Sequence, residues 1–131
     1  MKKRNTILFV DDEKICHTLA ELIIPNFTDY KLVVAYSGNE AIDLAKRYAS
    51  SIALVLSDIM LPDINGYEVY SRLKNDERFT NVPFVFQSGL ASQEEELKKH
   101  VTTNVSMLYK PYKQSDLLMA INEALKISEL T

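Results

Sequence analysis

The stretch 52–58, Ile-Ala-Leu-Val-Leu-Ser-Asp, is an apolar run that closes on a carboxylate. Three other runs have the same form, each ending just before polar residues: 7–10 before Asp11 and Asp12, 84–87 before Ser88, and 105–109 before Lys110. Such runs are apolar on both faces, which predicts parallel strands covered by helices on both sides. Parallel strands end at one edge of a sheet, where open α/β sheets bind ligands. The sequence therefore predicts a polar pocket at that edge.

Strand-like runs alternate with segments of helical periodicity from one end of the 131 residues to the other. A run at 32–35 supplies one more strand, which makes five strands and five helices. The predicted helices have these limits: the first is ended by Pro25, the second starts at Ser37, the third covers 67–73, the fourth covers 92–101, and the last is capped by Ser115. The pattern predicts one (βα)5 domain over residues 1–131.

Composition excludes several classes of function. The net charge is −3, which argues against nucleic acid as a direct ligand because proteins that bind the phosphate backbone usually carry a basic patch. No run approaches the ~18 apolar residues of a membrane span. Cys16 is the only cysteine, so no internal disulfide can form and a cytoplasmic location is expected. Cys16 is expected to be a small buried hydrophobe, and His17 and His100 to be surface or partly buried residues.

The three carboxylates of the predicted pocket, Asp11, Asp12 and Asp58, indicate a cation site. Two unit charges about 4 Å apart interact by roughly 4 kcal/mol at an effective dielectric constant of 20, so three carboxylates repel unless a cation joins them. Hard oxygen ligands favour Mg²⁺, which commonly combines carboxylates with phosphate oxygens. Asp58 can accept a phosphoryl group as an acyl phosphate, Lys110 can pair with the phosphoryl oxygens, and Ser88 can hydrogen-bond one of them.

The chain resembles, over essentially its whole length, the receiver domain of two-component response regulators, such as the chemotaxis regulators. The resemblance is carried by motifs in the order and spacing of that family: Asp11-Asp12, Asp58 within Asp-Ile-Met-Leu-Pro-Asp-Ile-Asn-Gly, Ser88-Gly89 and Lys110-Pro111. Each motif is weak alone, but together on an alternating α/β pattern they are specific. The resemblance implies a flavodoxin-like, doubly wound sheet with strand order 2-1-3-4-5.

The resemblance also implies roles for these residues. Asp58 would accept a phosphoryl group from a histidine kinase or phosphotransfer partner, with Mg²⁺ held by the Asp12 and Asp58 side chains, by Asp11 mainly through water, and by the Met60 backbone carbonyl. Ser88 would be the switch hydroxyl, and Lys110 would contact the phosphoryl oxygens and precede a cis peptide bond to proline. The phosphorylated protein would control a downstream partner through its fourth helix, fifth strand and last helix. It would catalyse only its own phosphorylation and dephosphorylation, and is not expected to be a metabolic enzyme.

Three features depart from the family pattern. Met107 stands where the family has an aromatic switch residue, and Thr103-Asn104 replaces a Gly-Ala turn. Gln87 stands where an apolar strand residue is usual, and we expect this polar intrusion to need a hydrogen-bonding partner. Apolar Met60 and Leu90 flank the expected phosphoryl site, and because neither side chain can orient water we predict slow self-dephosphorylation.

Two other functions stay open. A degenerate receiver that serves only as a docking module is compatible with Met107. A phosphohydrolase with an aspartate nucleophile is less favoured, since the haloacid-dehalogenase type needs a second Asp two residues after the nucleophile, and Glu13 and Lys14 hold those positions. A nucleotide- or flavin-binding module is disfavoured because three glycines do not make a glycine-rich phosphate loop. The cognate kinase, the output and the oligomeric state cannot be predicted.

Overall fold

The computed structural model describes residues 4–89 and 105–130, with side chains described as far as Lys126. Five strands are present in these ranges: β1 (Thr6–Val10), β2 (Lys31–Ala35), β3 (Ile52–Asp58), β4 (Phe84–Ser88) and β5 (Val105–Tyr109). The helices are α1 (Lys14–Phe27), α2 (Gly38–Arg47), α3 (Gly66–Lys74) and a C-terminal helix (Gln114–Leu130), with a short 3-10 turn at Glu77–Phe79. The predicted helix at 92–101, the Thr103-Asn104 turn, Leu90 and His100 lie outside the described residues.

The strands form one parallel sheet in the order β2-β1-β3-β4-β5, which confirms the predicted topology. The order along the chain reverses at β1, so the carboxyl ends of β1 and β3 flank the crevice where doubly wound sheets bind ligands. The register sets Val10 beside Ser57, and Asp58 beside Gln87. The predicted site residues therefore come to a single edge of the sheet.

Every residue of β1, β3 and β4 is buried, as expected for strands covered on both sides. One apolar cluster fills the face under α2 and α3, and a second fills the face under α1 and the C-terminal helix. Tyr67 and Tyr70 of α3 pack in the first cluster against Phe84 and Phe86 of β4. The central strands are thus held on both faces, and their ends are fixed in position.

The helix ends agree with the sequence in one case and differ in two. Ser37 caps α2 by accepting a hydrogen bond from the Glu40 N–H at 3.2 Å. Pro25 does not end α1, which continues to Phe27, because a proline in the last turn removes a single helical bond. The predicted Ser115 cap is wrong: the C-terminal helix begins at Gln114, and the Asp116 carboxylate accepts from the Lys113 N–H at 3.0 Å instead.

The loop after β3 is tied to its neighbours at both ends. The Asp63 carboxylate accepts hydrogen bonds from the N–H groups of Gly38 and Asn39, each at 2.8 Å, so it attaches the loop to the start of α2. At the other end the Gly66 N–H donates to the Ile59 carbonyl at 2.8 Å. A Cβ on Gly66 would lie 2.4 Å from the Asp58 carbonyl oxygen, so only glycine lets α3 start this close to Asp58.

None of the helices in the described part of the chain is both long and apolar enough to cross a membrane.

Candidate functional site

The three predicted carboxylates meet at the carboxyl edge of the sheet. Each of Asp11, Asp12 and Asp58 offers an oxygen, and these oxygens all lie within 4.8 Å of one another. Asp11 is completely buried, Asp58 is 7% exposed, and Asp12 faces solvent. The site is therefore a mostly buried acidic pocket that opens to solvent on the Asp12 side.

Backbone hydrogen bonds beyond the strand ends hold these residues in place. The Asp11 N–H donates to the Ala35 carbonyl at 3.1 Å, which continues the β1–β2 ladder by one residue. The Ile59 N–H donates to the Gln87 carbonyl at 3.1 Å and does the same for β3 and β4. Because the ladders run past the strands, the carboxylates sit on rigid backbone rather than on free loops.

Lys110 reaches into the pocket from the end of β5. Its Nζ lies 2.8 Å from Asp11 Oδ2 and 3.2 Å from Asp58 Oδ2, so one ammonium group bonds two carboxylates. Its backbone N–H donates to the Ser88 carbonyl at 2.7 Å, and the Lys110–Pro111 peptide bond is cis, as predicted. Residues separated by up to 99 positions in sequence are thus brought into hydrogen-bonding contact.

Burial sets the electrostatics of the pocket. The pKa of Asp58 is raised from 3.8 to about 6, chiefly because the carboxyl is buried; the charge of Lys110 opposes this rise and the charge of Asp11 adds to it. For Lys110, burial alone would lower the pKa, but the hydrogen bond to Asp11 and the charge of Asp58 raise it above its ordinary value. Asp58 therefore gains a proton readily when no other cation is near, whereas Lys110 stays charged.

The donor set fits a hard divalent cation. Three carboxylates share the pocket with the one ammonium group of Lys110, so the described side chains leave an excess of negative charge. Carboxylate oxygens are ligands that Mg²⁺ prefers, and exposed Asp12 leaves room for the waters that Mg²⁺ keeps. The Asp12 and Asp58 side chains would hold the ion and Asp11 would act mainly through water, and these roles stay predictions. The ligand role of the Met60 carbonyl stays a prediction; the Met60 side chain is 65% exposed.

The remaining predicted site residue, Ser88, ends β4. It is 3% exposed and lies beside Tyr109 of β5, one residue before Lys110. Met107 lies on β5 and is partly buried against the core under α2 and α3. The structure thus places Ser88 next to Lys110 at the edge of the pocket, while its role as a switch hydroxyl stays a prediction.

Gln87 has the partners that the sequence required, and they belong to the site. Its Nε2 donates to Asp11 Oδ2 at 2.8 Å, and its Oε1 accepts from the Tyr112 hydroxyl at 2.9 Å. Sequence reasoning identified Gln87 as anomalous but missed Tyr112. The only signal in the sequence was the position of Tyr112 shortly after Lys110, and a tyrosine near a lysine is too common to be informative.

Two neighbours of Asp11 on α1 differ from expectation. His17 is 1% exposed and therefore neither a surface nor a partly buried residue: its ring stacks on Tyr36 with 4.0 Å between centroids, and its Nε2 donates to the Asp11 carbonyl. Cys16 is only partly buried, yet burial and the charge of Asp11 raise its pKa to about 11. Cys16 is therefore less buried than expected, and its thiol is a poor nucleophile at neutral pH.

Comparison with known proteins gives a consistent family. Residues 7–122 match the model of the response regulator receiver domain. Among curated proteins, the response regulator Rre1 of Synechocystis sp. is 30% identical over 112 residues, which cover 86% of this chain and 48% of that protein. The response regulator SaeR of Staphylococcus aureus is 28% identical over 123 residues, covering 91% and 50%. The chain thus spans about half the length of the curated relatives it matches.

Solved structures have the same fold. The chemotaxis protein CheY4 of Vibrio cholerae superposes with a TM-score of 0.82 at 20% identity, covering 92% of this chain and 98% of that one. A response regulator receiver protein from Sinorhizobium medicae superposes with a TM-score of 0.82 at 26% identity, covering 95% and 96%. The receiver domain of the hybrid histidine kinase CckA gives a TM-score of 0.75 at 27% identity, covering 92% and 99%.

Proposed function

Because this chain belongs to the response regulator receiver family, we propose that Asp58 accepts a phosphoryl group with the help of Mg²⁺ and so switches the protein between two signalling states. Receiver domains of this family are phosphorylation-dependent switches that catalyse their own phosphorylation. The proposal assigns that chemistry to the acidic pocket of Asp11, Asp12, Asp58 and Lys110. It makes the protein a signalling switch and not a metabolic enzyme.

The observation that carries the proposal is the position of Lys110. Its ammonium group bonds Asp58 at 3.2 Å and Asp11 at 2.8 Å. Asp12, the third carboxylate of the pocket, is exposed to solvent. Phosphoryl transfer needs little covalent chemistry from the protein and depends on positioning and on charge stabilisation. A nucleophilic carboxylate, an ammonium group beside it and three carboxylate oxygens within 4.8 Å of one another, which could hold a cation, supply both.

The proposed step is an in-line displacement at phosphorus. An oxygen of ionised Asp58 forms the new P–O bond while the P–N bond of a phosphohistidine breaks, and the imidazole leaves with the electron pair. Mg²⁺, when bound, neutralises charge on the transferring oxygens. Lys110 pairs with one phosphoryl oxygen and the Ser88 hydroxyl donates a hydrogen bond to another. The product is an acyl phosphate on Asp58.

Response regulators interact with histidine kinases and with downstream effectors, and the surface around the site offers room for a donor. Ile15, Leu19 and Leu22 of α1 are 67%, 50% and 58% exposed. A concavity of about 380 Å³ between α1 and the β5 end is lined in part by Leu19, Lys110 and Pro111. Exposed apolar side chains beside a reactive pocket mark an interaction surface, and we assign this one to the phosphodonor protein.

We assign the output to the face of β5 and the C-terminal helix, together with the predicted helix at 92–101. A groove of about 330 Å³ lies on the described part of this face. It is lined in part by Met107, Tyr109 and Met119, and Met119 is 59% exposed. Flexible methionines suit a surface that must fit a partner in only one of two states.

The function is tested with a small phosphodonor, Mg²⁺ and intact-mass measurement. We expect one added phosphate on the wild type, none on Asp58→Asn, and normal uptake by Asp43→Asn, which removes an exposed carboxylate of α2. Loss of uptake on chelation of Mg²⁺ is also expected. A wild type that takes up no phosphate would instead favour the docking module, and turnover of varied phosphomonoesters would favour the phosphohydrolase.

A further inference from the structure

The side chain of Gln87 is completely buried, and both ends of its amide are used. Burying an amide without hydrogen-bond partners costs free energy, and here each end of the amide has a partner. A carboxylate can only accept hydrogen bonds, and the Asp11 carboxylate therefore requires the NH₂ group of Gln87 to face it. The Tyr112 hydroxyl donates to the opposite end at 2.9 Å and holds the amide in that orientation.

Gln87 and Lys110 share one oxygen of Asp11. Asp11 Oδ2 accepts from Gln87 Nε2 and from Lys110 Nζ, each at 2.8 Å, while Oδ1 accepts from the Glu13 N–H at 2.9 Å. Of the two donors to Oδ2, Gln87 is neutral and fixed by Tyr112. Lys110 is charged and already contacts Asp58 as well.

This sharing matters when Asp58 carries a phosphoryl group. Lys110 must then pair with a phosphoryl oxygen and give up part of its bond to Asp11. A fully buried carboxylate that loses a donor pays a large desolvation penalty, so it resists the departure of Lys110. A second donor that stays in place lowers this resistance.

We propose that Gln87 is a positioning residue: held by Tyr112, it keeps a hydrogen bond on Asp11 so that Lys110 can pass from Asp11 to the phosphoryl group on Asp58. The assignment rests on the proposed function and adds to it two residues, Gln87, which departs from the family pattern, and its partner Tyr112. Gln87 and Tyr112 act through Asp11 and Lys110 and do not touch the phosphoryl group.

The test compares Gln87→Met, Tyr112→Phe and the double variant with the wild type. Met keeps the length of Gln87 without its hydrogen bonds, and Phe removes only the hydroxyl of Tyr112. Matched controls are Gln114→Met and Tyr48→Phe at exposed positions. Two quantities are measured: the Kd for Mg²⁺ by calorimetry, and the rate of phosphorylation from a small donor at saturating Mg²⁺.

The expected result separates these two quantities. Without Gln87, Asp11 holds its remaining cations more tightly, so Mg²⁺ binding is unchanged or tighter. Lys110 leaves Asp11 less readily, so phosphorylation slows by roughly tenfold in Gln87→Met, which loses a hydrogen bond to a charged group, and by roughly threefold in Tyr112→Phe, which loses one between neutral groups. Adding Tyr112→Phe to Gln87→Met has no further effect, because the hydroxyl acts only through the amide.

Damage to the pocket would give a different pattern, in which Mg²⁺ binding and phosphorylation weaken together. That result overturns the assignment, as does an unchanged rate in both single variants. If Gln87→Met does not fold, Tyr112→Phe decides the question by the same two measurements. A wild type that takes up no phosphate overturns the proposed function and this assignment with it, whereas normal wild-type uptake without the split overturns the assignment alone.

Discussion

Burial of the ionised Asp58 carboxylate lowers the stability of the folded protein, so we expect Asp58→Asn to be stabilising in the absence of Mg²⁺. The pKa of Asp58 rises from 3.8 in the unfolded chain to about 6 in the folded protein because the carboxyl is buried. The folded state therefore binds the proton more tightly than the unfolded state. Stability from this group is present at low pH and is lost as the pH rises through about 6.

The size of the effect follows from the same pKa values. At ~1.4 kcal/mol per pH unit, ionised Asp58 costs about 3 kcal/mol at pH 8 and roughly half of that at pH 5. Asn has nearly the same shape and carries no charge, but it gives up the ionic contact with Lys110 at 3.2 Å. We expect Asp58→Asn to be more stable by about 1–3 kcal/mol at pH 8, and by a smaller margin at pH 5.

Urea unfolding at both pH values, with a chelator present, measures these differences. Asp43→Asn is the control, and its stability should follow the wild type within about 0.5 kcal/mol. Added Mg²⁺ should reduce the advantage of Asp58→Asn because the cation stabilises only the folded site with its carboxylates intact. The reasoning is refuted if Asp58→Asn is less stable than the wild type at pH 8, or if its advantage does not shrink at pH 5.

Further expectations concern the backbone, the lysine and the lifetime of the phosphorylated state. Gly66→Ala places a Cβ 2.4 Å from the Asp58 carbonyl oxygen and should lower the free energy of unfolding by about 1–3 kcal/mol. A Cβ on Gly89 meets open space, so Gly89→Ala should be nearly neutral. Equal effects of the two substitutions in urea titrations would contradict this. Lys110→Met removes the cation that competes with Mg²⁺ for Asp11 and Asp58. Calorimetry should therefore show tighter Mg²⁺ binding, while phosphorylation slows. Weaker Mg²⁺ binding would count against the proposed geometry. With Met60 exposed and apolar, the phosphorylated protein should persist for minutes or longer in Mg²⁺, and a half-life of seconds by intact mass would disprove slow self-dephosphorylation.

The sequence predicts the sheet and the pocket because both depend on local patterns that topology then combines. Apolar runs that end in Asp11, Asp58 and Lys110 fix where each strand stops, and parallel pairing brings those ends to one edge. Helix limits are less predictable because competing signals lie close together. Ser115 is a good capping residue by type, yet Asp116 satisfies the backbone of Lys113 and moves the start to Gln114.

Side-chain networks were harder to predict than the pocket itself. His17 looked like a surface residue because nothing in its own helix requires burial, but the packing of Tyr36 and Phe9 around it removes it from solvent. These contacts join residues of β1, α1 and the loop after β2, and sequence periodicity describes one element at a time. Cys16 is only partly buried because it lines the concavity between α1 and the end of β5, beside Lys110 and Tyr112.

Gln87 shows how a local violation of strand pattern can indicate function. A polar residue in a buried strand lowers stability unless its hydrogen bonds are complete, so its presence implies partners that sequence alone does not name. Here one partner is the carboxylate that Lys110 also holds, and the other is a tyrosine hydroxyl two residues beyond that lysine. An apolar residue at this position would serve the core of the sheet equally well. The amide is therefore better explained by the charge of Asp11 than by packing, which places the reason for Gln87 in the chemistry of the pocket.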